Sequence, residues 1–404
     1  YLTLEAAPSI EEQQSNERIK TIFDKIQQII GDRLIPAYPI YLISILQALV
    51  NAKGANLHLT SYGHCYQSLI TLALLKQVKP EDIDFRTISH QSSGVKIGCF
   101  KITAFHINHS VPQSLGIFLQ TPVGNFFHIS DYKFDWTPIK EQPFDIQKVS
   151  LLACKRKPIL LVSDCLGASS FGHTESEATI KEVLENIMIR AEKLVLVTTV
   201  SSNISRMRQT IQAAVNVGRK VGFIGRSVKE SMRIAVDLGY FSSLEKHLLS
   251  SREIKRTPPS RLCLIVAGSY GQSSSSLTRI SEDRHNLVKI SKGDTVIFSA
   301  DPAPPGVVVD VNKVIDRLSC LGARVYYYEI QENLHVSGHG TSEDIKMLFS
   351  FIKPRFLIPI GGDWRHMYAY SRLAQQMGYK EKEILILKKG QRVEISQQGQ
   401  LIVK

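Results

Sequence analysis

The sequence predicts an α/β protein of layered sheets and helices, on three observations. From 178 to 328, helical spacing alternates with short runs rich in β-branched residues, the rhythm of a parallel sheet. Between Gly94 and Ile129 the chain reads instead as strand and hairpin, with Leu115 to Gln120 and Gly124 to Ile129 on either side of a turn. Third, residues that carry chemistry fall just after apparent strands: His109, Asp131, Asp164 after Ile159 to Val162, and the run HVSGHG from His335 to Gly340. Side chains at the carboxyl ends of strands converge in such folds, so these points are expected to build one site. Taken singly, each reads first as a turn or capping residue.

In chain order, Tyr1 to Asn16 is polar and turn-like. Glu17 to Ile30 places apolar residues at 19, 22, 23, 26, 29 and 30, the stripe of an amphipathic helix that Gly31 closes. Pro36 and Pro39 precede a second helical stretch, Tyr41 to Val50; Leu57 to Thr60 reads as a strand and Tyr66 to Leu75 as helix. Gly94 to Asn108 alternates as strands leading to His109. After Glu177 the predicted helices are Ala178 to Ala191, Ile204 to Gly218, Val228 to Leu238 and Val308 to Leu321. Between them lie strands Leu194 to Thr199, Lys220 to Ile224, Arg261 to Ala267, Thr295 to Ser299 and Ala323 to Tyr328. From His335 the pattern returns to the first unit: helix Ser342 to Phe351, strand Phe356 to Ile360, helix His366 to Met377, then Ile384 to Lys388 and a hairpin, Arg392 to Val403.

A chain of 404 residues with 43% hydrophobic and 21% charged residues is long enough for two globular domains. Forty-nine Lys and Arg against 37 Asp and Glu leave a net charge of +12, which favours a polyanionic partner such as RNA or else serves solubility. The cysteines at 65, 99, 154, 165, 263 and 320 form no CxxC pair, so neither a zinc ribbon nor a disulfide scaffold is indicated, and a reducing compartment is the simpler inference. The longest apolar run, Ile40 to Val50, is broken by Ser44 and Gln47 and is too short to span a bilayer, so no membrane role is expected.

Several stretches stand in a recognisable order: NHSVP, HISDYKFDWTP, LLVSDCLGASSFGHTESE, SSNISR, GRSVKES, AGSYGQ, GDTVIFSADPAP, HVSGHG and RFLIPIGGDWRHM. Together, over Pro36 to Lys404, they resemble the bacterial ribonuclease J family. The resemblance implies a metallo-β-lactamase αββα sandwich, residues 1–177 and 335–404, with a β-CASP three-layer α/β domain inserted at 178–334. It also implies that the opening β-hairpins of the sandwich would precede Tyr1, or have their place taken by a partner, and that a C-terminal domain would follow Lys404.

The family's reaction, metal-assisted phosphodiester hydrolysis, uses two cations on a dense set of imidazole and carboxylate ligands. The motif order puts Ala37, Pro39, Tyr41 and Leu42 where the family's H-x-H-x-D-H loop has its ligands, and Gly361 where its late histidine stands. Of the usual set His109 and Asp131 are left; Asp164 and Glu177 match acidic positions, His339 matches the histidine of H-x-S-G-H, and His128 reads as structural. Ser205 replaces a histidine, Tyr270 a glutamine, and Ser273 to Ser276 a Glu-Pro-Met type segment. The expectation is therefore a vestigial site of His109, Asp131, Asp164 and His339 with no cofactor, and a former ligand loop in which Tyr38, Tyr41, Leu42 and Ile43 pack as apolar filling. The alternative keeps two zinc or manganese ions, with the missing ligands supplied by a segment of the protein outside these 404 residues.

For RNA, His335, Ser337, Gly338 and His339 are expected to form a phosphate-holding nest. Arg206, Arg226 and Arg279, with Arg208 and Arg284, are expected along the β-CASP cleft, where a structural salt bridge is the other reading for each. SREIKR at 251 to 256, with Lys289 and Lys292, reads as a basic patch. The resulting expectation is a ribonuclease J-like pseudoenzyme that binds RNA or serves as a scaffold, beside an active paralogue or within a ribonucleoprotein. It would work in a bacterial cytoplasm or an organellar matrix or stroma. The alternative is a metal-dependent 5′–3′ exo- and endoribonuclease.

Overall fold

Two six-stranded sheets carry the fold. The structure, a computed structural model, describes residues 88–300, 306–388, 391–395 and 401–403, together with the backbone of strands β1 (Leu2–Glu5), β2 (Leu57–Thr60) and β3 (Ile83–Arg86). The expected helices at 17–30, 41–50 and 66–75, and the whole ligand-loop expectation at Ala37, Tyr38, Pro39, Tyr41, Leu42 and Ile43, lie outside the described residues.

The first sheet holds β4 (Val95–Ile97), β5 (Phe100–His106), β6 (Leu115–Thr121), β7 (Gly124–Ile129), β8 (Leu160–Asp164) and, from the end of the chain, β15 (Phe356–Ile360). Its order is β15-β8-β7-β6-β5-β4, with antiparallel pairing from β4 to β7 and parallel pairing from β7 to β15. Successive residues of a strand point to opposite faces. Thus Phe105, Phe127, Leu161 and Leu357 pack on one side against α1 (Ile146–Arg156), α8 (Ser342–Ile352) and α9 (Trp364–Gln376), through Val149, Leu348, Phe349, Tyr370 and Leu373. Ala104, Phe126, Leu160, Val162 and Ile358 pack on the other side against Val393 and Ile395 of β16 (Arg392–Ile395), which pairs with β1 and with β17 (Leu401–Val403). A sheet with helices on one face and a second sheet on the other makes three of the four layers of the expected αββα sandwich. The predicted elements leave out α1, although Ile146, Val149, Leu152 and Ala153 stand at helical spacing; its Asp145 caps the N-terminus by accepting from Lys148 N at 3.0 Å.

The second sheet is all parallel, in the order β11-β10-β12-β9-β13-β14. Its strands are β9 (Val195–Thr198), β10 (Lys220–Ile224), β11 (Leu248–Leu249), β12 (Leu262–Val266), β13 (Thr295–Phe298) and β14 (Arg324–Tyr326). Central strands buried on both faces need continuous apolar runs, as in LCLIV and TVIF. Val195, Val197, Cys263 and Ile265 face α2 (Thr179–Ile189), α3 (Ile204–Asn216) and α4 (Arg226–Asp237). Leu196, Leu264, Val266 and Val296 face α6 (Ser276–Ser281) and α7 (Val308–Cys320), making three layers. SREIKR proves to be the short helix α5 (Ser251–Arg256), held by a capping box between Ser250 and Glu253. No helix among the described residues is long and apolar enough to cross a membrane.

Candidate functional site

Four side chains far apart in sequence meet beside the carboxyl ends of the first sheet. The strand before His109 closes at His106, and a single bridge, Asn108 to Lys133, carries the backbone on to the loop. His109 and Asp131 thus sit two to three residues beyond β5 and β7, while Asp164 is the last residue of β8. HVSGHG follows no strand: β14 ends at Tyr326, and 335–340 is irregular chain between the units, which corrects its expected place at a strand end. Gly340 N donates to Tyr132 O at 2.6 Å, drawing this run onto the first unit beside Asp131.

His109 Nδ1 lies 2.9 Å from Gly338 O, an acceptor only, so Nδ1 carries the proton and Nε2 presents its lone pair. Nε2 is 3.2 Å from Ser110 Oγ and 3.6 Å from Asp131 Oδ2. Burial, reinforced by His339, pushes the His109 imidazole down to about 3, so it stays neutral. His339 Nδ1 donates to Asp164 Oδ2 at 2.6 Å and lies 3.6 Å from Asp131 Oδ1; the His109 and His339 rings meet edge to face at 5.2 Å. Asp164 Oδ1 accepts from Leu166 N at 2.8 Å, which completes its local bonding. Burial pushes the Asp131 carboxyl up to about 7, against the pull of His339, and its Oδ1 is buried with no hydrogen-bond partner.

Among the described residues His109, Asp131 and His339 bring ligand atoms within 4.8 Å of one another, enough to hold one cation. They do not fit a pair of ions. His339 commits Nδ1 to Asp164, and position 361, a glycine, offers no donor. A carboxyl with an orphaned buried oxygen beside a neutral imidazole can accept or hold a proton, or take that one cation.

The nest expected from HVSGHG is already engaged. His339 N donates to Ser337 Oγ at 3.1 Å, Gly340 N to Tyr132 O, and Gly338 O accepts from His109. Burial, with Arg206 and Lys133 nearby, holds His335 well below the usual histidine range, so it brings no positive charge.

Arg206 requires a correction. Expected along an open cleft, it is fully buried. Its Nη2 donates to Glu177 Oε2 at 2.9 Å and Nε to the same oxygen at 3.2 Å. Nη1 donates to Ser299 O at 3.1 Å and Leu334 O at 3.2 Å. Lys133, also buried, lies 3.4 Å from Asp135 Oδ2 and 3.9 Å from Glu177 Oε1. This network joins both chain crossings between the units, at Glu177 and at Leu334, and for Arg206 it is the other reading, a structural salt bridge, that holds. A signal is present: Arg206, Thr210 and Ala213 share the inward face of α3. Arg226 and Arg279 are exposed, as a phosphate contact requires. Arg284 is exposed but paired with Glu282. His128 lies on β7 opposite Ile117, and burial pushes it down to about 4.

Residues 192–318 match the family model of the ribonuclease J β-CASP domain, and residues 325–387 that of the Zn-dependent metallo-hydrolase RNA specificity domain. Ribonuclease J2 of Bacillus subtilis is 32% identical over 339 residues, which cover 83% of this chain and 60% of the relative. The chain is ribonuclease J-like. Its two sheets are accordingly a metallo-β-lactamase sheet and a β-CASP sheet. Ribonuclease J of Thermus thermophilus is 34% identical over 332 residues, 80% of this ribonuclease J-like chain and 57% of the relative. Ribonuclease J of Helicobacter pylori is 33% identical over 301 residues, 74% of this chain and 43% of the relative. The chain thus spans between 43% and 60% of the length of these relatives.

Proposed function

We propose that this ribonuclease J-like protein is a pseudoenzyme that binds single-stranded RNA without cutting it, as a binding or scaffold subunit. The observation that carries this reading is the composition of the site. Ala37, Pro39, Tyr41, Leu42 and Gly361 offer no imidazole or carboxylate, and His339 Nδ1 is bonded to Asp164. Two divalent ions on such a set would lack the ligands that fix their geometry. The net charge of +12 and the exposed Arg226 and Arg279 support an RNA partner. An active paralogue or ribonucleoprotein subunits complete the assembly in this reading, in a bacterial cytoplasm or an organellar matrix or stroma.

One observation favours a second reading, a metal-dependent ribonuclease: the convergence of His109, Asp131 and His339 on a volume that fits one cation, with Asp131 Oδ1 orphaned. A single preparation separates the two. Elemental analysis should find less than two zinc or manganese ions per chain, and a 5′-monophosphorylated RNA should bind and stay intact. If about five phosphates are neutralised, affinity should fall with a log–log salt slope of roughly −3.5. Cleavage lost in His109→Ala sinks the pseudoenzyme reading. Absence of RNA binding at low salt sinks the RNA half and leaves a protein scaffold.

A further inference from the structure

The outer face of α9 takes no part in packing the metallo-β-lactamase unit. The helix is anchored on its inner side, where His366, Ala369, Tyr370, Leu373 and Ala374 are buried. On the outer side Trp364, Tyr368 and Arg372 follow one another at intervals of four residues, so they form a single stripe, and all three are exposed. Trp364 keeps 49% of its surface in water and Tyr368 53%, with their rings 6.3 Å apart and inclined at 32°. Large aromatic side chains are ordinarily drawn into a core or an interface, so a pair in contact and half in water offers apolar surface to a ligand.

The exposed residues of α9 are two aromatics, two arginines and two glutamines, with no aliphatic side chain among them. A protein-docking helix would show an aliphatic stripe, whereas aromatic rings beside guanidinium groups suit a strand of bases and phosphates. Arg372 stands one turn beyond Tyr368 and has no ion-pair partner among the described residues. Arg365 lies 4.0 Å from Asp363 Oδ2, a contact between exposed groups that holds the arginine only weakly. We propose that the outer stripe of α9 is a stacking platform for single-stranded RNA, with bases on Trp364 and Tyr368 and phosphates on Arg365 and Arg372. Bases stack on aromatic faces whatever their sequence, and the guanidinium fork matches a phosphate. From Trp364 to Arg372 the stripe runs about 12 Å, the rise of about three stacked nucleotides. The platform rests on the RNA-binding reading and adds to it a contact on the metallo-β-lactamase unit, separate from Arg226 on α4 and Arg279 on α6.

Trp136 and Trp364 are the two tryptophans of the chain, so Trp136→Phe leaves Trp364 as the sole indole reporter. That variant is titrated at low salt with adenylate and uridylate decamers and with inorganic polyphosphate, following tryptophan emission and oligonucleotide anisotropy together. Both RNAs should quench Trp364 saturably, the adenylate binding more tightly because it stacks better, and polyphosphate should leave the emission unchanged. Trp364→Ala should weaken the adenylate decamer about tenfold at an unchanged salt slope, and Trp364→Phe should restore most of that loss. Arg372→Gln should instead make the log–log slope shallower by about 0.7. Melting temperatures should stay constant, since these side chains lie off the core. RNA that binds without quenching Trp364, equal quenching by polyphosphate, or unaltered affinity when Trp364→Ala and Tyr368→Ala are combined overturns the platform and leaves RNA binding through Arg226 and Arg279 in place. A drop in solution mass in that double variant assigns the face to a protein contact and overturns the platform too. Absence of RNA binding by the parent protein at low salt removes both readings.

Discussion

Gly361 faces Asp164 so closely that a Cβ on it would lie 2.9 Å from Asp164 Oδ1. Its backbone is left-handed, at φ +81°, where a side chain is strained whatever the space. The position that would carry a late metal-binding histidine is therefore shaped for a glycine, and the neighbouring acid is bonded to Leu166 N and His339.

Putting the imidazole back should fail. Gly361→His is expected to lose about 1–3 kcal/mol of stability and to bind no more zinc than the parent protein. Gly361→Ala should lose a similar amount, because the strain lies in the backbone. Thermal unfolding and elemental analysis of the three proteins check this; a stable histidine variant that takes up two ions contradicts it.

Arg206→Ala should be among the most damaging single changes, at about 3–5 kcal/mol, because it leaves Glu177 charged and buried without its main partner. Glu177→Gln in the same chain should recover part of that loss, a coupling that a double-mutant cycle measures by urea unfolding. Additive losses would mean that the two residues do not act as a pair.

Arg226→Ala and Arg279→Ala should behave oppositely to Arg206→Ala. Both side chains are exposed, so the melting temperature should not move. RNA affinity should fall about equally for all sequences, with the log–log salt slope shallower by about 0.7 for each phosphate no longer neutralised. Fluorescence anisotropy across a salt series reads both quantities.

His128 should make stability depend on pH. In the folded protein burial holds its imidazole down at about 4, whereas the unfolded chain has the ordinary 6.5. Between those values the unfolded state binds the extra proton, so stability falls as pH drops from about 6.5 towards 4 and is unaffected above that window. His128→Leu should make this acid limb shallower by about one proton, leaving a remainder set by His109, which burial also depresses, against Asp131 and Glu141, which burial raises and which act in the opposite sense. Denaturant unfolding at several pH values gives the slope; an unchanged slope removes His128 from the account.

Much of the fold was legible because helix and strand periods are written in near neighbours. The parallel strands of the β-CASP sheet, the hairpin of β6 and β7 and the long helices α2, α3 and α7 could be read from residues a turn or a pleat apart. The helix α1 went unread although Ile146, Val149, Leu152 and Ala153 recur at helical spacing and all four pack on the core of the first sheet. The empty ligand positions were also legible, since they depend on residue identity alone. What tertiary structure decided was partnership. His109 meets Gly338 across 229 residues, His339 meets Asp164 across 175, and Arg206 meets Glu177 across 29. No local pattern records such pairs. An arginine reads the same whether water or a buried carboxylate awaits it, and packing alone turned Arg206 into a structural tie while leaving Arg226 and Arg279 outside.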